Sequence, residues 1–219
     1  MLAELGCPPN GVVCEVGVAL GDFSIRMIEL LAPRSFVAFD TFAMHQEPAH
    51  WGRSSEELFG GLTHQEFYRR RLSPHGDKLA VEQGLSHEAL ARYPDRHFDL
   101  IYLDAGHSYE AVSKDAEVSA RKIKAGGLVV FNDYTLYDPF LKVPYGVVDA
   151  VNQLVVAGGW QVVGFALEAN MFCDIALRHA EARGQVRAAS SAAQSNATPW
   201  PGVSGAMALP SRISSGRAI

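Results

Sequence analysis

The sequence predicts a doubly wound α/β protein, with a mostly parallel seven-stranded sheet completed by a C-terminal antiparallel hairpin strand. Three observations carry that expectation. Short apolar runs alternate with stretches of helical period, the mark of βαβ units. A glycine-punctuated turn, Gly17 to Gly21, directly follows the first run. The last two runs, 160–166 and 171–177, succeed one another with no helical pattern between them. A chain of 219 residues, 48% hydrophobic and 20% charged, suits one domain with a well-buried core.

Val12 to Val16 is the first strand, followed by a helix over 22–32 that carries Phe23, Met27, Leu30 and Leu31 on one face and is stopped by Pro33. Strands follow at 35–39, 78–82 and 98–103. Val112, Ala116, Ala120 and Ile123 then recur at helical spacing, and Ala125-Gly126-Gly127 supplies the helix stop before a fifth strand at 128–131. A helix near 146–157 leads through Gly158-Gly159 into the hairpin. Between the second and third strands, residues 43–77 greatly exceed the roughly 15 that a crossover helix needs. Two expectations stand for this stretch: an insertion that covers a site, hence a candidate lid, or a longer crossover with a surface loop.

Residues 1–180 are thus expected as the folded domain. From Glu181 onward, Ala, Ser, Gly and Pro make up 23 of 39 residues, too little apolar surface to offset the entropy of ordering, so 181–219 is expected as a disordered tail. The net charge is −5, divided into −8 over residues 1–180 and +3 over the tail. An acidic folded part argues against a nucleic-acid groove, which needs clustered basic side chains. The compact basic run Arg69-Arg70-Arg71 reads as a solvated helix face, with phosphate binding as the alternative. Three cysteines without a CxxC pair suggest inert thiols rather than a disulfide framework or a zinc site. No apolar stretch approaches the roughly 18 residues of a membrane span, and the N-terminus lacks the basic start and apolar core of a secretory signal. A cytoplasmic protein without membrane or nucleic-acid partners is expected, and self-association into a homo-oligomer is left open.

In an open parallel sheet, ligands bind beyond the carboxyl ends of the strands, so the loops there hold the candidate chemistry. The first loop reads Glu15-Val16-Gly17, then Gly21-Asp22, an ExGxxxG pattern in which glycine lets the backbone approach a ligand. Asp40 ends the second strand 23 residues beyond Gly17, where a carboxylate can accept hydrogen bonds from the hydroxyls of an adenosine ribose. The spacing departs from GxGxxG, and Glu15 would repel a pyrophosphate and welcome an ammonium or sulfonium group. By charge, S-adenosylmethionine fits better than NAD; a tight turn without any ligand is the bland alternative.

Asp104 follows the fourth strand and Asn132-Asp133 the fifth. If these strands are neighbours, two carboxylates and an amide oxygen meet at one sheet edge, a hard donor set suited to Mg²⁺ or Ca²⁺. His107, three residues beyond Asp104, could take a proton from a hydroxyl there, its ordinary pKa of about 6.5 suiting a general base. Helix capping by Asp104 and an Asx turn at Asp133 are the structural alternatives. No HExxH or nucleophile-elbow pattern points to a hydrolase.

These residues carry a resemblance. Glu15-Val16-Gly17 with Gly21-Asp22-Phe23-Ser24, Phe39-Asp40-Thr41-Phe42, Leu103-Asp104-Ala105-Gly106-His107-Ser108-Tyr109 and the Gly126 to Tyr134 block, in this order, resemble the class I S-adenosylmethionine-dependent methyltransferases. More narrowly they look like the macrocin O-methyltransferase type and its small bacterial relatives, over about residues 10–178. The resemblance implies a Rossmann-like fold, with Glu15 and Gly17 near the methionine portion, Gly21 also in the cofactor-binding loop, Asp40 on the ribose, and Gln83, Gly84, Leu85 and Ser86 near the adenine. It also implies Asp104, Asn132 and Asp133 as Mg²⁺ ligands and His107, with Asp104, as the catalytic pair. Asn132 stands where relatives carry an acidic residue or His. Phe42, Trp51, Phe59, Tyr134 and Tyr137 are candidates for the substrate wall or for ordinary packing. The implied reaction is methyl transfer to a hydroxyl of a small molecule, sugar-bearing or another natural product; the alternatives are a non-catalytic S-adenosylmethionine-binding or interaction module and an NAD-dependent oxidoreductase.

Overall fold

Val12–Val16 (β1) is buried at all five positions, which requires a central strand covered on both faces. The computed structural model, which describes residues 2, 4–167 and 172–179, shows why. After β1 come α1 (Asp22–Leu31), β2 (Ser35–Asp40), a short β3–β4 hairpin (Ala49–His50, Arg53–Ser54), α2 (Ser55–Phe59), α3 (His64–Arg71), β5 (Leu79–Gln83) and α4 (Ser86–Ala91). The chain continues through β6 (Phe98–Leu103), α5 (Tyr109–Lys122), β7 (Ile123–Phe131), a β8–β9 hairpin (Tyr137–Asp138, Val143–Pro144), α6 (Val147–Ala157), β10 (Trp160–Leu167) and β11 (Cys173–His179). The seven-stranded sheet runs β10-β11-β7-β6-β1-β2-β5. Its strands are parallel from β5 to β7, while β11 inserts antiparallel between β7 and β10.

Side chains that alternate along β1 feed two cores. Val12, Cys14 and Val16 pack with α4, α5 and α6 through Leu90, Val112, Ala116 and Val151. Val13 points the other way, to Met27, Ile28 and Leu31 of α1 and to Tyr68 of α3. At about 25 cal/mol per Å² of apolar area, such two-faced burial is the dominant stabilising contribution. The three cysteines are free and buried, as the inert reading expects. Among the described residues no helix is long and apolar enough to cross a membrane.

Three local expectations need correction. The buried face of α1 is Ser24, Met27, Ile28 and Leu31, an i, i+3, i+4, i+7 set; Leu30 is 62% exposed, because the helix is rotated to put Ile28 against the sheet. The glycines after α5 do not separate helix from strand. Ile123 already pairs with Phe98, and Ala125 to Gly127 form an irregularity inside β7 before Leu128 pairs with Leu100. The third strand is shifted one residue, to Leu79–Gln83, by its pairing with β2. The tail 181–219 and Met171 lie outside the described residues.

Candidate active site

Strand order reverses between β1 and β6: from β1 the chain moves outward through β2 and β5, then returns to add β6 and β7 on the other side. The loops beyond β1 and β6 therefore diverge and leave a crevice at the carboxyl edge of the sheet. Gly17 sits at its base with φ +82°, and its N–H donates to the Phe39 carbonyl at 2.8 Å. A Cβ here would lie 1.9 Å from the Asp104 carbonyl oxygen. Glycine is thus required by the crossing of two backbones, whatever the ligand. Asp40 closes the other side, its carboxylate accepting from the Val18 N–H at 2.8 Å and the Phe42 N–H at 2.7 Å.

A cavity of about 550 Å³ opens between these loops, a volume suited to a nucleoside-sized ligand. Gly17, Asp40, Gly84, Ser86 and Asp104 all line it, together with Leu85. Gln83 lies outside this lining, its amide donating to the Thr41 carbonyl at 3.0 Å. A second cavity of about 310 Å³ shares Gly17, Ala19 and Asp104 with the first and adds Glu15, Asp22, Phe23 and Trp51. Gly21 lines neither; a Cβ on it would meet Leu72 Cδ1 at 2.9 Å and the Tyr68 ring at 3.0 Å. Its φ of +83° and its bare Cα serve the packing of α3.

Glu15 is only 2% exposed and accepts a hydrogen bond from the Ser24 hydroxyl. Burial pushes its carboxyl well above the usual range; the Ser24 bond pulls it back, and the negative charges of Asp104 and Asp40 push it further up.

Parallel pairing of β6 with β7 sets Leu103 opposite Phe131, so the residues after each strand meet. His107 Nε2 lies 3.6 Å from Asp104 Oδ1 and 3.5 Å from Asp133 Oδ2. These are charge-pair rather than hydrogen-bond distances, and Nε2 is enclosed without a hydrogen-bond partner. The ring stacks on Tyr145, centroids 4.4 Å and planes 9° apart. Asp133 adopts φ +52°, and its carboxyl is raised to about 6 by burial; His107 opposes that rise, and Asp104, Asp174 and Asp138 add to it.

Asn132 donates from its amide nitrogen to Asp174 at 2.9 Å and to the Tyr102 hydroxyl at 3.2 Å, and Tyr102 donates to the other Asp174 oxygen at 2.9 Å. Anchoring the nitrogen fixes the amide oxygen on the opposite edge of the group. Two carboxylates and an amide oxygen are hard donors in kind, and Asp133 is lifted first by burial and further by the neighbouring carboxylates. Among the described residues no group of three or more His, Cys, Asp or Glu side chains could hold a metal, so any such site would depend on Asn132.

Sequence reasoning missed Asp174, Tyr102, Tyr145 and Asp138. For Asp174 a signal existed, a lone carboxylate inside the apolar run Cys173 to Leu177. The candidate wall aromatics divide: Phe42 and Phe59 are buried core residues, 1% and 3% exposed, whereas Trp51 lines the second cavity. Tyr134 donates to Asn152 at 2.7 Å, and Tyr137 is exposed on the β8–β9 hairpin. Of the basic run, Arg71 turns to the Leu20 carbonyl and Asp22, and Arg69 to the Val81 carbonyl. Arg71 is thus engaged with the loop between β1 and α1 rather than forming part of a free solvated face.

A family profile described as a methyltransferase domain matches residues 14–134. No curated protein matches the chain. Among solved structures, precorrin-6y C5,15-methyltransferase from Geobacter metallireducens is 15% identical, with 82% of this chain and 84% of that one aligned at a TM-score of 0.54. The YcgJ protein of Bacillus subtilis is 13% identical over 83% and 97% of the two chains, TM-score 0.55. The m1A22 tRNA methyltransferase TrmK of Bacillus subtilis is 11% identical over 82% and 65%, TM-score 0.52. At these identities the likeness is one of fold, and two of the names carry different acceptors, a precorrin and a tRNA.

Proposed function

The chain belongs to the methyltransferase-domain family, and on that premise we propose that it is an O-methyltransferase acting on a hydroxyl of a small molecule, sugar-bearing or another natural product. S-adenosylmethionine is the cofactor expected of the family. The observation that carries the reading is the convergence of Gly17, Asp40 and Ser86 on one cavity whose inner wall is Asp104, next to an imidazole held between two carboxylates. The likeness of the four sequence blocks to the macrocin O-methyltransferase type supports oxygen as the acceptor atom.

When bound, S-adenosylmethionine supplies an electrophilic methyl group on a sulfonium centre. Asp40 would accept from the ribose hydroxyls with the lone pairs that Val18 and Phe42 leave, and Gly84 to Ser86 would border the adenine. Glu15, on the second cavity, would border the amino-acid end of the ligand. His107 takes the proton from the acceptor hydroxyl, and Asp104 and Asp133 hold the imidazole and stabilise the imidazolium that forms. The fold contributes alignment of the two reacting atoms in line, which accounts for much of the rate of a direct displacement. Asp104, Asp133 and Asn132 are the residues that would hold Mg²⁺, which would acidify and orient the acceptor hydroxyl.

The test is calorimetric titration with S-adenosylmethionine and with NAD, with and without Mg²⁺, followed by an acceptor screen of hydroxylated compounds. Micromolar binding of the former alone, and methyl transfer to oxygen that chelation abolishes, is the expected result. Binding without transfer to any acceptor would favour the non-catalytic module, and tight NAD binding would revive the oxidoreductase.

A further inference from the structure

The segment 43–77 touches the loop between β1 and α1 through one helix face. His64, Tyr68 and Arg71 of α3 are spaced four and three residues apart, so they project in one direction. His64 Nε2 lies 2.6 Å from the Ala19 carbonyl, Tyr68 donates to the Ser24 hydroxyl at 2.9 Å, and Arg71 donates to the Leu20 carbonyl at 3.0 Å. All three targets fall between β1 and the first turn of α1. That loop holds positive φ at Gly17, Ala19 and Gly21, a backbone that persists only where its surroundings over-determine it. His64 and Tyr68 are 0% exposed, so this helix is seated in the core.

We propose that Tyr68 is a positioning residue for the amino-acid end of the cofactor, acting on Glu15 through Ser24, and that α3 is a fixed buttress of the cofactor loop. The inference rests on the cofactor reading given above. A serine hydroxyl can donate one proton, in any direction its rotor allows. Because Tyr68 donates to Ser24, the Ser24 proton is committed to Glu15, and the chain Tyr68 to Ser24 to Glu15 fixes the carboxyl group that borders the second cavity. The adenosine end, at Asp40 and Ser86 in the larger cavity, does not touch this chain.

The experiment is calorimetric titration of the full-length protein, Tyr68→Phe and Ser24→Ala with two probes. S-adenosylhomocysteine carries the amino-acid end; methylthioadenosine shares the adenosine and sulfur but lacks it. Each substitution should weaken S-adenosylhomocysteine binding by about five- to tenfold, the net worth of one hydrogen bond, while methylthioadenosine changes by less than about twofold. Unchanged affinity for S-adenosylhomocysteine, or an equal loss for both probes, would overturn the positioning role, the latter because it marks general loosening of the loop. Tyr68→Phe keeps the buried ring, and Ser24→Ala interrupts the same chain from its other end, so one folded variant suffices. If the unsubstituted protein binds neither probe, the cofactor reading itself falls, and the positioning role with it.

Discussion

His107 and Tyr145 stack face to face, ring centroids 4.4 Å and planes 9° apart, and the Tyr145 hydroxyl is itself held by Asp138 at 2.8 Å. Asp138 also accepts from the Phe140 and Leu141 N–H groups, so the turn between β8 and β9 is the footing of the stack. The ring that lies between Asp104 and Asp133 is therefore located by a residue 38 positions further along the chain.

Removing that support should slow the reaction without touching the cofactor. Tyr145→Ala is expected to lower kcat by roughly 10- to 100-fold, in line with the sensitivity of proton transfer to small displacements, whereas Tyr145→Phe keeps the stack and stays within a few-fold of the original. Steady-state kinetics alongside S-adenosylhomocysteine affinity separates the two effects. Equal activity in both variants would show that the stack is incidental.

Substituting the carboxylate–imidazole cluster itself should be more severe. His107→Ala and Asp104→Asn are each expected to reduce kcat by about 10² to 10⁴-fold while cofactor affinity changes little. Asp104→Asn is isosteric and leaves the Asp104 carbonyl that packs on Gly17 undisturbed. Full activity in both would remove the assigned roles.

The two glycines of the first loop should respond very differently to alanine. Gly17→Ala drives a Cβ to 1.9 Å from a backbone oxygen at φ +82°, and a loss above about 4 kcal/mol, or failure to accumulate folded protein, is expected. Gly21→Ala meets the tip of Leu72 and the edge of Tyr68 at 2.9 to 3.1 Å, groups that can give way, so about 1 to 2 kcal/mol is expected, chiefly from its φ. Urea unfolding of both variants measures the difference.

Stability should fall as pH rises because of Glu15. An unfolded Glu titrates near about 4.3, whereas burial holds the folded Glu15 carboxyl well above that. Between the two values the folded state carries a proton that the unfolded chain has released. The stabilisation is complete below the unfolded value and is lost as pH rises through the window, by up to about 1.4 kcal/mol per pH unit. Glu15→Gln should flatten this decline and gain relative stability as pH rises above the unfolded value. Parallel curves for the two proteins would rule the assignment out.

The lines of the architecture were legible because strands and helices in a two-faced α/β sheet are written by local pattern. Val12 to Val16, Phe98 to Leu103 and Val129 to Phe131 are apolar at almost every position, and glycines mark the turns where backbones cross. The proximity of Asp104, His107 and Asp133 was legible too, since it follows once β6 and β7 are taken as parallel neighbours. Which way a helix faces was less so: Ile28 and Leu30 are equally apolar, and only the packing of α1 on the sheet selects Ile28.

By itself the sequence determined the order of the seven sheet strands along the chain, the loop positions of Gly17, Asp40, Asp104 and Asp133, and the family to which the chain belongs, because each depends on residues close together or on strand ends that the topology must align. Only the tertiary structure decided that Gly21 serves α3 rather than a ligand, that Tyr68 reaches Glu15 through Ser24, and that Tyr145 and Asp174 flank the carboxylate cluster. Most of those relationships join residues far apart in the chain through side-chain contacts, and such contacts carry no periodicity that a linear pattern could record.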